Sequence, residues 1–377
     1  MHTAFGQSTP YSIGIEEEYQ LVDETGLGLV SRIEPMLASI ANEPESSRVK
    51  PELLQSFVEV STKVAVGVAE ALEDMAELRS RLRRVAGDNE TAIVSAGSHP
   101  FSHPSAQVVT ARPRYARIAD DLGWLASRHL AFGLHVHVGV NSAEKAIACC
   151  NGLRAHLPEL LALSGNSPFW HGEATGFAST RATILTRLPR SGPPPHLDAF
   201  DDFVELVERS RRTGCFPEYT HLWWDIRPHP RFGTVEIRIC DAQTRLESAG
   251  ALAALVQSLV ATLGSAYECD ASPAAVPDFL LEENRWRAAR DGLDALLIDV
   301  EKDTERSARA AIVELLDRCQ PAAAALGCGD ELDEIEAILE RGNGADEQRA
   351  VFAETGSLVD VTRFLVDETA AASIAQC

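Results

Sequence analysis

The sequence predicts an α+β protein: one antiparallel sheet, apolar on one face and polar on the other, with helices packed on the apolar side. Three observations predict it. Short segments spread over the first 240 residues alternate apolar and polar side chains with period two, the mark of half-buried strands. Longer stretches with helical spacing lie between them. Finally, these strand-like segments reserve their polar sides for Glu, His, Arg or Gln, so joining them in one sheet would collect those groups in a single cleft.

Taken in order, "YSIGIEEEYQLVD" (11–23) places Glu16, Glu18 and Gln20 on one face and Ile13, Ile15, Tyr19 and Leu21 on the other. Glu17 falls on the apolar side and is expected near a strand edge, because Glu is rarely buried without a partner. In "QSFVEVST" (55–62), Gln55, Phe57, Glu59 and Ser61 oppose Val58 and Val60. Residues 67–87 read as a helix with many opposite charges at i,i+4, and "TAIVSAG" (91–97) as an apolar strand. Helices are expected over 112–130 and 142–163. Between them "FGLHVHVGV" (132–140) points His135 and His137 one way and Leu134, Val136 and Val138 the other.

Residues 164–196 are dense in Gly, Pro, Ser and Thr and too long for a simple connector, so a functional loop is expected there. A helix over 198–212 precedes "THLWWDIR" (220–227), where His221, Trp223, Asp225 and Arg227 share a face. In "GTVEIRICD" (233–241), Glu236 and Arg238 oppose Val235, Ile237 and Ile239. The apolar stretch 247–267 is interrupted by Gln257, Ser258, Thr262 and Ser265, which favours a core helix over a membrane span. After about residue 276 the chain reads as helical and acidic to its end, with a break at "RGNGADE". No repeat or composition shift marks a boundary. Residues 1–377 therefore read as one catalytic domain, with sheet and site over about 11–245 and a helical part over about 246–377.

A net charge of -22 argues against nucleic acid or an anionic membrane as partner, since both would repel this surface. The N-terminus lacks a basic segment followed by an apolar run, so no signal peptide is expected. The eight cysteines show no CxxC or zinc-finger spacing, and free thiols in a reducing cytoplasm are the economical reading.

The collected cleft would hold Glu16, Glu18, Glu59, His135, His137, Arg227, Glu236 and Arg238. Several carboxylates in a poorly solvated site cannot all ionise unaided; two arginines supply part of the balancing charge and divalent metal the rest. Glutamate oxygens with one or two imidazoles suit Mg²⁺ or Mn²⁺, while the His-x-His pair could instead bind zinc. Carboxylate-rich magnesium sites usually complete their shells with substrate phosphate, which points to ATP. GxxxxGK[ST], GxGxxG and GxSxG are all absent, so P-loop, dinucleotide and serine-hydrolase chemistry find no support. Any one strand of this kind would equally suit a solvated edge; it is the repetition over five strands that favours a site.

"GIEEE", "VEVST" (58–62), "GLHVHVGV", "STR" followed by "SGPPP", "WWDIRPHPRFGTVEIRICD" and "ENRWRAARDGL" occur in this order. Together they resemble the glutamate–cysteine ligase type 2 family of bacterial ATP-dependent carboxylate–amine ligases. The resemblance implies a glutamine synthetase-like curved antiparallel sheet, with helices packed on its convex face and ATP, metals and substrate on the concave one. It implies that ATP phosphorylates a carboxylate and an amine displaces the phosphate, with weak formation of γ-glutamylcysteine from glutamate and cysteine, and it suggests a small homo-oligomer. On this resemblance Glu16, Glu18, Glu59, Glu236 and His135 would hold magnesium. Arg227 and Arg238 would neutralise the transferring phosphoryl group, and Arg181 would clamp the substrate or close over the acyl phosphate. His137, Gln55, Glu52, Asn284 and Arg290 are further candidates for ATP or substrate contact. Gln55 stands where relatives carry a glutamate, with Glu52 nearby. Asp225 either orients Arg227 or caps its strand. The rival readings are a zinc hydrolase using His135 and His137, a guanidino kinase on a related sheet, and a non-catalytic binding protein.

Overall fold

The computed structural model describes residues 1–271 and 275–371; Cys377 and the other residues of the last segment lie outside them. Strands β1 (Ile13–Asp23), β2 (Val49–Pro51), β3 (Phe57–Ser61), β4 (Thr91–Val94), β5 (Leu134–Gly139) and a hairpin (Ile226–His229 and Thr234–Ile237) form a seven-stranded sheet. Every ladder in it is antiparallel. β1 lies in the middle, flanked by β3 and β5, with β4 pairing its C-terminal half; the hairpin extends the β5 side and β2 the β3 side.

The alternation works as the pattern predicts. Ile15, Tyr19, Val58, Val60, Val136, Val138, Val235 and Ile237 are all buried in one core with helices Val68–Gly87 and Leu246–Glu268. Each such side chain contributes about 1.5–3 kcal/mol relative to exposure. Helix Leu246–Glu268 is long and apolar enough to cross a membrane, yet 78% of its most apolar window is buried inside the fold.

Several expectations need correction. The stretch 112–130 is an α-helix only over Pro113–Leu122, with a 3-10 turn at Gly123–Arg128, and the strand expected over 220–227 starts at Ile226 and runs to His229. Glu17 is not near an edge. It sits in the central strand opposite Val60 and Leu134 and is fully buried, because Arg79 of helix Val68–Gly87 reaches it with Nε at 2.9 Å and Nη2 at 2.6 Å. The remaining Arg79 donors go to the carbonyls of Thr244 and Gln243 and to the Tyr19 hydroxyl, which also donates to Glu17. The pair is therefore closed, as a buried charge requires.

The stretch 142–163 is two helices, Ala143–Arg154 and Leu157–Ser164. Pro158, in the first turn of the second, cannot continue the first helix through its position. Beyond residue 276 the chain is not wholly helical: Leu296–Asp299 and Thr304–Ser307 pair as a hairpin.

Candidate active site

The polar face of the sheet floors a cleft of about 330 Å³. β1 supplies Glu16 and Glu18, β3 supplies Glu59, β5 supplies His135 and His137, and the hairpin and its following residue supply Arg227, Glu236 and Arg238. Register makes them neighbours: Glu18 opposes Glu59, Glu16 opposes His135, and Glu236 lies between His137 and Arg227.

Glu16 is the hub. Its Oε2 is 3.7 Å from His135 Nδ1 and 3.7 Å from His137 Nε2, which in turn is 3.9 Å from Glu236 Oε1. The Thr234 hydroxyl, 3.0 Å from His137 Nδ1, fixes that ring with Nε2 turned inward. His135 Nδ1 and His137 Nε2 are both buried, and neither has a hydrogen-bond partner. Two donor sets result, Glu16–His137–Glu236 and Glu16–Glu59–His135, each with its ligand atoms within 4.8 Å of one another. Unpartnered buried nitrogens facing carboxylates are the groups a divalent cation would satisfy. Two carboxylates to one imidazole in each set fits Mg²⁺ or Mn²⁺ better than zinc. The two imidazoles of the His-x-His pair fall in different sets.

The charges are unevenly distributed. Burial raises the Glu16 carboxyl, but His135, His137 and Lys50 outweigh it and hold the group well below its usual range. Burial likewise opposes ionisation of Glu236, yet Arg227 and Arg238 hold it well below. Glu59 goes the other way: burial and then the Glu16 charge push it well above the usual value. Burial and Glu18 lift Glu52 to about 7. Without an added cation this cleft cannot ionise all its carboxyls, as the composition of the strands predicts.

Lys50 supplies part of that cation. Its Nζ lies 3.0 Å from Glu59 and 3.6 Å from Glu16, and it also donates to Ser61. Among the arginines, Arg227 is largely committed: Nε and Nη2 fork onto Glu236 at 2.9 and 3.0 Å, and Nη1 serves the carbonyls of Thr220 and Leu222. Arg238 lines the cleft and meets Glu236 through Nη1, its one side-chain hydrogen bond among the described residues.

Arg181 lies outside the cleft lining. It is buried in the short helix Thr180–Leu185 and donates to the carbonyls of Ile239 and Arg238 at 2.9 and 3.0 Å. A Cβ on Gly133 would stand 2.3 Å from Arg181 Nη2 and 2.9 Å from His135 Nε2, so any larger residue there would displace one or both of these side chains. The segment 164–196 around it is tied to buried Asp241, which accepts from Asn166 N, Ser167 Oγ and Ser179 Oγ.

Glu52 lines the cleft, whereas Gln55 does not; Gln55 sits in the turn before β3. Asn284 and Arg290 are elsewhere. Asn284 exchanges two hydrogen bonds with the backbone of Ile298, and Arg290 stacks on Trp286 and pairs with Asp291. Asp225 grips Arg285 at 2.7 Å rather than Arg227.

Lys50, Arg114, Tyr115, His129, Trp223 and His229 also line the cleft, beyond the residues the strand pattern collects there. His229 was within reach, because the alternation through Trp223 and Arg227 continues to it. Lys50 was not: its strand is three residues long, too short to carry a period.

With this geometry in place, comparison with known proteins decides the family. The model of "Glutamate-cysteine ligase family 2" matches residues 12–364. The chain belongs to that family of ATP-dependent carbon–nitrogen ligases. A Rubrobacter xylanophilus protein named "Putative glutamate--cysteine ligase 2-3" is 43% identical over 370 residues, covering 98% of this chain and 100% of the relative. A Solibacter usitatus protein named "Putative glutamate--cysteine ligase 2" is 41% identical, covering 95% and 93%. Among solved structures, glutamate–cysteine ligase of Francisella tularensis in complex with AMP superposes with a TM-score of 0.70 at 13% identity, covering 97% of this chain and 90% of that one. A bifunctional glutathione synthetase from Pasteurella multocida gives a TM-score of 0.72 at 13% identity, covering 96% and 52%. The α+β fold expected from the sequence is thus the fold of this ligase group.

Proposed function

We propose that the protein is a magnesium- and ATP-dependent carboxylate–amine ligase that works through an acyl phosphate and forms γ-glutamylcysteine weakly. The observation that carries this reading is Glu16, shared between two carboxylate–imidazole sets whose inward nitrogens are buried and unpartnered, with Arg238 beside them. Bound Mg²⁺ would supply charge neutralisation for the phosphates of ATP.

The chain's own residues then have separable tasks. Glu16, Glu59, Glu236, His135 and His137 offer the metal ligands: His137 joins the expected set, and Glu18, whose Oε2 accepts from Gly133 N at 2.5 Å, falls outside both donor sets. Arg238, with donors to spare, faces the transferring phosphoryl group, while Arg227 holds the Glu236 carboxylate in place. A substrate carboxylate oxygen attacks the γ-phosphorus and ADP leaves. The amine nitrogen then attacks the acyl carbon, phosphate departs, and the amine proton passes to a base. Glu52, with a carboxyl near 7, suits that last step at neutral pH. Arg181 positions Arg238 by holding its carbonyl. The net charge of -22 and seven free cysteines among the described residues are in keeping with small-molecule substrates and a cytoplasmic setting.

The test is a screen of amino acids and amines for Mg-ATP-dependent ADP release with mass detection of the product. An amide product, absent in Glu236→Gln, is the expected result. Tightly held zinc with ATP-independent hydrolysis, or a phosphorylated guanidine with no amide, would replace this reading with one of its rivals.

A further inference from the structure

A second cavity of about 270 Å³ lies among helices Leu157–Ser164, Asp278–Asp291 and Ala308–Leu326 and the hairpin Leu296–Asp299/Thr304–Ser307. None of its lining residues lines the first cleft. Three buried polar atoms of its lining residues have no hydrogen-bond partner: His156 Nδ1, Glu159 Oε2 and Arg306 Nε. His156 and Glu159 are 7% and 2% exposed. The neighbouring atoms are spoken for. Arg306 gives Nη2 to Glu159 Oε1 at 3.2 Å and Nη1 to Glu314 at 3.1 Å, which leaves one carboxylate oxygen and one guanidinium N–H open. Arg318, also in the lining, has no ion pair among the described residues.

Native proteins seldom leave three such atoms in one place without a ligand or ordered water. The open set asks for complementary groups together. Arg306 Nε and Arg318 need an anionic acceptor, and Glu159 Oε2 needs a donor. A phosphate or other multivalent anion would meet four carboxylates in the wall (Glu159, Asp299, Glu301, Glu314) against three cations (Lys302, Arg306, Arg318), and would leave Glu159 without a donor. A molecule carrying a carboxylate and an ammonium on one carbon meets both needs. Pro158, Leu281 and Leu297 offer an apolar surface to the rest of it.

From this juxtaposition we infer that the second cavity is a binding site for a free α-amino acid, separate from the cleft on the sheet. Burial pushes Glu159 up to about 7 and His156 down to about 3. An incoming ammonium would restore the Glu159 charge.

The experiment is calorimetric titration of each proteinogenic L-α-amino acid, one at a time, into the full chain and into three variants. Glu16→Gln weakens the first cleft, and Arg318→Ala and Glu159→Gln alter the second. Arg318 is exposed, so its variant keeps the test valid even if Glu159→Gln folds poorly. The expected result is that at least one amino acid binds wild type and Glu16→Gln alike, and that Arg318→Ala weakens it about tenfold. The inference is overturned if no amino acid binds, if binding is lost in Glu16→Gln, or if Arg318→Ala leaves the affinity unchanged. Because Glu16→Gln reports the first cleft separately, failure here leaves the ligase reading standing, and the reverse also holds.

Discussion

On the apolar face of β1, Glu17 ends in a closed set of partners: a two-pronged Arg79, the Tyr19 hydroxyl, and two carbonyls that absorb the rest of the guanidinium. On the polar face one residue away, Glu16 ends among groups that do not close. Its imidazole neighbours stand at 3.7 Å with their inward nitrogens unpaired, and Glu59 beside it is held from ionising. The pleat alone separates these fates, since successive side chains leave a strand on opposite faces. A buried charge that is fully paired is architecture. A half-buried charge among unpartnered imidazole nitrogens is a place for something to bind.

The sharpest way to break this comparison is to remove one charge at a time. Glu16→Gln should lower ATP-dependent amide formation by about a hundred- to a thousandfold, as loss of preorganised charge does, with the thermal midpoint little changed. Glu17→Gln should do the opposite. Leaving Arg79 buried against a neutral partner should destabilise the protein by about 3–5 kcal/mol, while the fraction that remains folded keeps its specific activity. Denaturant melts and initial rates on both variants decide it. If Glu17→Gln kills activity in a stably folded protein, the division into an architectural and a working face is wrong.

How much of this could be read from the chain follows the same division. Period two located β1, β3, β5 and the second strand of the hairpin, and with them nearly all of the cleft floor, because a half-buried strand writes its two faces into its own sequence; the first hairpin strand, Ile226–His229, lies mostly past the stretch 220–227 where alternation places it. It could not place Glu17, whose partner is 62 residues away. That signal existed on the helix side. Arg79 follows Met75 by one helical turn on the buried stripe Val68, Ala71, Met75, Leu78 and Leu82, where a lone arginine demands a buried acid. Gln55 falls outside the cleft lining because the chain turns just before Phe57, and alternation has no meaning past the end of a strand. Hairpin Leu296–Ser307 went unseen because its second strand, Thr304–Ser307, is largely exposed and so has no apolar period.

A smaller effect sharpens the working face. Thr234→Val keeps the shape beside His137 but deletes the hydroxyl that fixes its ring. Metal-ligand orienters of this kind are worth about ten- to hundredfold in affinity. Mg²⁺ or Mn²⁺ binding to Thr234→Val, measured by calorimetry, should weaken by that factor at unchanged stability. Thr234→Ser should restore it, which a purely packing role for the methyl group would not predict.

The smallest expected effect concerns protons. In the metal-free protein burial and the Glu16 charge raise the Glu59 carboxyl well above its ordinary value, so over a range above that value it still carries a proton that a divalent cation must displace. Acidification through that range should therefore weaken Mg²⁺ binding, by no more than about tenfold per pH unit for each proton released. Raising the pH above it should bring the affinity to a plateau. Glu59→Gln cannot hold that proton as an acid, so its affinity should be lower throughout and its pH dependence shallower, with Glu52 at about 7 supplying what slope remains. Equal slopes in wild type and Glu59→Gln would mean that Glu59 stays ionised beside Lys50 and that the cleft's excess acidity resides elsewhere.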